Sequence, residues 1–169
     1  MAERKKIAAI ITAFFPAAHG SHADLIASKF ARGFPTSEGV VRTKVDLVSM
    51  YIDQPHWTDL GPALARKHDI EIYPSIRAAL TLTPQGRPGH WTPEDNERPG
   101  ELGVDGVLIV GEHGDYAGNE QQRHLYPRRY FFEQVCGVFA TSGRSVPVFN
   151  DKHLSYNWAD SLWMYEHAR

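Results

Sequence analysis

Apolar residues along this chain gather in short uninterrupted runs separated by amphipathic stretches. Residues 6–12 (KIAAIIT), 45–52 (VDLVSMYI), 70–73, 104–110 (VDGVLIV) and 146–149 are rich in β-branched and aliphatic side chains. Runs this short and this apolar predict strands covered on both faces. Between them, residues 23–34 place Leu25, Ile26, Phe30 and Phe34 near helical spacing and stop at Gly33, with Ser21 or Asp24 as the cap. A second helix is predicted over 59–67, with Asp59 near its start and Arg66 and Lys67 in its last turn, and a short third over 76–82 behind Ser75. Pro127 opens a fourth, 127–141, whose apolar face is Phe131, Phe132, Val135, Val138 and Phe139, and 157–169 closes the chain with Trp158, Leu162, Trp163 and Tyr165. Residues 35–43 read as a loop. Residues 83–103, dense in proline, glycine and charge, read as a surface insertion without regular structure.

Strands and helices therefore alternate throughout. Right-handed crossovers turn that order into an α/β, Rossmann-like three-layer domain: a mainly parallel sheet with helices on both faces. At 169 residues the chain supports one such domain, 1–169, with a sizeable core. A net charge of −2 and the lack of a basic stretch give no electrostatic reason to expect nucleic acid or a membrane surface. The apolar run IAAIITAFF is too short to span a bilayer and has no persuasive cleavage region behind it, so a cytoplasmic location is expected. Cys136 is the one cysteine, which rules out an internal disulfide and leaves it to pack as a small hydrophobe.

In open α/β sheets, ligands bind outside the carboxyl ends of the strands. Two strand ends are loaded with polar residues: Gly111, Glu112, His113, Gly114 and Asp115 follow the fourth strand, and Asn150, Asp151, Lys152 and His153 follow the fifth. Together they suggest one site for a small-molecule substrate. Lys152 is suited to proton transfer there. Imidazole and carboxylate also suit divalent ions, so Glu112, His113, Asp115, Asp151 and His153 offer an alternative, a metal-dependent hydrolase or lyase, although their spacing matches no metal signature and no ligand set is assigned. His19 and His22 stand where they could donate to a phosphate at a helix N-terminus. Arg128 and Arg129, beside Tyr126, could hold an anionic substrate or solvate the start of their helix. A third alternative is a non-catalytic binding or assembly module.

The segments KIAAIIT, VDLVSMYIDQ, DLGPALARKHDIEIYPSIRAAL, VDGVLIVGEHG and VPVFNDKHLSYNWADSLWMYEHAR give the chain a family likeness. It resembles the N-terminal nucleotide-binding domain of the Gfo/Idh/MocA oxidoreductases, in a bacterial subgroup marked by GEHGDY, YPR and FNDKHLSY. Asp151, Lys152 and His153 stand where that family carries Glu-Lys-Pro. The resemblance implies NAD or NADP as cofactor, oxidation or reduction of a small polyol, sugar or related hydroxyl compound, and Lys152 beside the nicotinamide. On this reading His113 and Asp151 join Lys152 at the reaction centre. Thr12, Gly20, Ser21, His22, Asp53, Gly111 and Glu112 line the cofactor, Asp53 as the acid for the ribose hydroxyls, and Asp115, His153 and Arg128 face the substrate. The first loop, TAFFPAAHGSH, holds one glycine where the dinucleotide fingerprint GxGxxG has three. The family also carries a C-terminal substrate domain after the helix at which this chain stops. Trp158, Trp163 or Tyr165 are therefore expected to be partly exposed, as a surface for that domain or for self-association into a homo-oligomer.

Overall fold

The computed structural model describes residues 3–83 and 100–169. Its centre is a five-stranded, wholly parallel sheet built from β1 (Lys5–Ile11), β4 (Val45–Ile52), β5 (Glu71–Ile72), β6 (Gly106–Val110) and β7 (Val148–Asn150), in the order β5-β4-β1-β6-β7. The helices are α1 (His22–Arg32), α2 (Gly61–His68), α3 (Ile76–Thr81), α4 (Arg128–Ser142) and α5 (Trp158–His167).

Both faces of the sheet are covered, and β1 shows how. Ile7, Ala9 and Ile11 pack with Ala23 and Ala27 of α1 and Leu64 and Ala65 of α2. Ala8 and Ile10, pointing the other way, pack with Ala79 and Leu80 of α3, Phe131 and Val135 of α4 and Met164 of α5. Two-sided burial leaves no polar alternation, and this is why the central strands were legible as apolar runs. The predicted α/β, Rossmann-like architecture is the one the chain adopts.

Two expectations need correction. Residues 35–43 are not a plain loop, because β2 (Phe34–Thr36) and β3 (Gly39–Val41) pair antiparallel in a small exposed ribbon. Thr36 Oγ1 donates to Gly39 O across the turn (2.7 Å), and Gly39 takes φ +122°, which glycine adopts readily. With no buried face, the ribbon has no apolar alternation to reveal it. The insertion assigned to 83–103 lies mostly outside the described residues. In its last part Glu101 is exposed, but Leu102 is not on the surface: it is buried, its N–H donates to Ser142 Oγ (3.1 Å) and its carbonyl accepts from Arg144 Nη2 (3.0 Å).

At the other end of the chain Asn157 caps α5, accepting from the Asp160 N–H (2.8 Å). Trp158 and Tyr165 are exposed there, whereas Trp163 sits against Phe132 and under the Arg129 guanidinium. No helix among the described residues is long and apolar enough to cross a membrane.

Candidate functional site

The strand order reverses between β1 and β6, so the crevice of this sheet opens beyond Ile11 and Val110. Thr12 closes the floor of that crevice. Its N–H donates to Val110 O (3.2 Å) and its buried hydroxyl to Glu112 O (2.5 Å), so the loop after β6 is fixed to the end of β1.

Glu112 is the hub of the polar residues on the β7 side. His22 Nδ1 lies 3.1 Å from its Oε2, Arg128 Nη2 3.9 Å from the same oxygen, and Lys152 Nζ 3.6 Å from Oε1. His22, the first residue of α1, also places Nδ1 2.6 Å from Oδ2 of the buried Asp151. The end of β6, the end of β7 and the start of α1 thus meet at one point. Arg128 reaches the point from the start of α4. Its side chain is only 7% exposed, and its Nε is sealed from solvent with no hydrogen-bond partner among the described residues. Burial pulls its guanidinium below the ordinary arginine range, opposed by the charges of Glu112 and Asp151. Glu112 Oε2 and the Ser21 hydroxyl are sealed in the same way.

On the β4 side a cleft of about 760 Å³ opens between Phe15, Gln54, Pro55, His56, His113 and Tyr126. His113 has a left-handed backbone (φ +67°) that carries its Nε2–H to Gly20 O (3.1 Å) and its ring against Phe15. His124, which also lines the cleft, stacks on Tyr126 and donates Nδ1–H to Tyr116 O (3.2 Å). Tyr126 joins the two regions, for its ring also lies over the Arg128 guanidinium at 5.1 Å. Behind the cleft, Asp53 accepts the hydroxyls of Tyr51 and Tyr116, each at 2.6 Å and each on a different oxygen. Burial, reinforced by that carboxylate, drives both phenols far above the ordinary tyrosine value.

No protein-family model and no curated protein matches this sequence. Among solved structures it is similar to biliverdin reductase from Synechocystis sp. PCC 6803, crystallised with biliverdin and NADP+, at a TM-score of 0.49 and 15% sequence identity, over 97% of this chain and 34% of that one. The chain spans about a third of that protein's length.

Of the expected site residues, His22, Glu112, Arg128, Asp151 and Lys152 form the Glu112 hub, Gly111 lies against Arg128 and Ser21 precedes His22 at the N-cap of α1, while the Thr12 hydroxyl holds the Glu112 carbonyl and Gly20 O accepts from His113. Gly111 is there for space, because a Cβ would stand 2.5 Å from Arg128 Cγ. The five-residue metal cluster suggested by the sequence does not assemble. Glu112 and Asp151 converge, but His113 turns to Gly20, Asp115 is exposed with its backbone clasped by Gln54 (2.6 and 3.2 Å), and His153 is exposed. His22 takes their place. Arg129 is engaged by Glu133 and Asp160 and joins α4 to α5 rather than facing the site. Sequence reasoning missed Phe15, His56 and His124 as cleft walls and Tyr51 and Tyr116 as partners of Asp53. The one available signal was the tyrosine two residues before Asp53, since strand residues i and i+2 share a face.

Proposed function

We propose that this chain is the nucleotide-binding and reaction-bearing domain of an NAD(P)-dependent oxidoreductase acting on a small polyol, sugar or related hydroxyl compound. The observation that carries this reading is the meeting of Lys152, Glu112 and the N-terminus of α1 at the crevice where the strand order reverses.

The residues fit a dinucleotide in three respects. Ser21, at the N-cap of α1, keeps a buried hydroxyl with no described partner, and the first N–H groups of a helix have no partner within it, so the turn is a ready receptor for a phosphate. The cleft walled by Phe15, His56, His124 and Tyr126 suits a planar heterocycle. Asp53 has given one lone pair on each oxygen to a tyrosine, and a carboxylate has about four acceptor positions, so ribose hydroxyls find acceptors left.

When bound, the nicotinamide supplies the hydride acceptor or donor. Lys152 Nζ, at the end of an exposed side chain, relays the hydroxyl proton of the substrate: its ammonium gives one proton to Glu112 Oε1 at 3.6 Å and the amine so formed takes the substrate's. Arg128 and His22 hold Glu112 in place from its other oxygen, and Asp151 fixes the His22 ring. Titration with NADH and NADPH, followed by nicotinamide fluorescence, tests the reading. A saturable change with one of them is expected, and none with either ends it.

A further inference from the structure

We propose that His22, Glu112 and Asp151 form a binding site for one divalent transition-metal ion at the start of α1. The inference does not rest on the nicotinamide reading.

The geometry is the first argument. Nδ1 of His22, a carboxylate oxygen of Glu112 and one of Asp151 all lie within 4.8 Å of one another, and this is the one such group among the described residues. Ligands about 2.1 Å from an ion and at right angles to each other lie about 3 Å apart. The 3.1 Å separation of His22 Nδ1 and Glu112 Oε2 already equals that edge. The 2.6 Å contact of Nδ1 with Asp151 Oδ2 is a hydrogen bond, and it needs to open by only a few tenths of an ångström once the ion replaces its proton. One imidazole and two carboxylates suit Mn2+, Fe2+ or Zn2+, and three protein ligands leave positions open.

The second argument comes from Arg128, which is not a ligand. Arg128, nine-tenths buried, sets Nη2 3.9 Å from Glu112 Oε2 and leaves Nε without a hydrogen-bond partner among the described residues. Buried polar groups are nearly always partnered, so this unsatisfied donor beside the three ligands marks a place where something binds. Charge indicates what accompanies the ion. Two carboxylates are already balanced by Lys152 and Arg128, so a divalent cation leaves an excess of positive charge that an anionic oxygen, from a carboxylate or phosphate group, neutralises in the open positions beside Arg128.

The test uses protein purified without a histidine tag and stripped with EDTA. Titration with MnCl2 is followed by loss of the free-ion electron paramagnetic resonance signal, and Zn2+ binding is measured directly by calorimetric titration. One ion per chain is expected. Outer-shell changes alone cost about 10–100-fold in metal affinity, so His22→Ala and Asp151→Asn are each expected to weaken binding by about 100-fold or more. Lys152→Met removes a neighbouring cation and no ligand, and it keeps the ion. The proposal is overturned if neither ion binds at one per chain, or if His22→Ala binds as the parent does. Should a variant unfold, Co2+ added to the parent protein decides the matter. Paramagnetic shifts of the His22 ring protons that saturate at one equivalent support the site, and an unshifted ring refutes it.

Discussion

Gly111 lies directly beneath Arg128, so close that a methyl group on its Cα would stand 2.5 Å from Arg128 Cγ. The glycine that ends the central apolar run is therefore a packing requirement of the buried guanidinium, not a hinge. Gly111→Ala is expected to destabilise the fold by about 1–3 kcal/mol, the usual cost of overpacking, and to displace Arg128 from Glu112. Urea denaturation measures the first effect. Gly137→Ala on the exposed side of α4, where a Cβ meets nothing within 4 Å, is the control, expected to stabilise by about 0.5–1 kcal/mol.

Removing one phenol from Asp53 tests whether that carboxylate is a structural acceptor. Tyr116→Phe deletes a 2.6 Å hydrogen bond to a carboxylate in a partly buried setting, and a loss of about 1.5–3 kcal/mol is expected. A thermal melt with no shift would show the bond to be idle.

Lys152 makes the reverse case, with its side chain 58% exposed and its only ion pair among the described residues at 3.6 Å. Lys152→Met is expected to leave stability within about ±0.5 kcal/mol. Turnover, once a substrate is in hand, should be abolished, and a fully active variant would remove Lys152 from the chemistry.

At the opposite end of the sheet, Asp105 accepts the backbone N–H of Lys6 at 3.0 Å and the Lys5 ammonium at 3.1 Å, holding the start of β1 against β6. The backbone hydrogen bond first, then the one from Lys5, depresses its carboxyl below the ordinary range. Because the folded value is the lower one, the stabilisation is complete above the unfolded value of about 4 and is lost as pH falls through the folded value. Asp105→Asn should therefore cost about 1 kcal/mol at neutral pH, and the gap to the parent should close in strong acid. Paired urea melts at pH 7 and in strong acid check it.

By itself the sequence determined the layered α/β domain and the strand ends at which polar residues collect. A strand buried on both faces is written locally, as in VDLVSMYI, and the residues that follow such a run must emerge at the carboxyl edge of the sheet. That was enough to bring Glu112, Asp151 and Lys152 forward. Only the tertiary structure decided their partners. His22 meets Asp151 across 129 positions because α1 starts beside the end of β7, and nothing in the spacing of the two residues encodes that meeting. His113, adjacent in sequence to Glu112, is carried away to Gly20 by one left-handed residue, and Asp53 is enclosed by a tyrosine 63 positions downstream. Burial is a property of a short segment and shows in its composition, whereas the pairing of polar groups depends on crossovers and single backbone angles in loops, which the composition of those loops does not record.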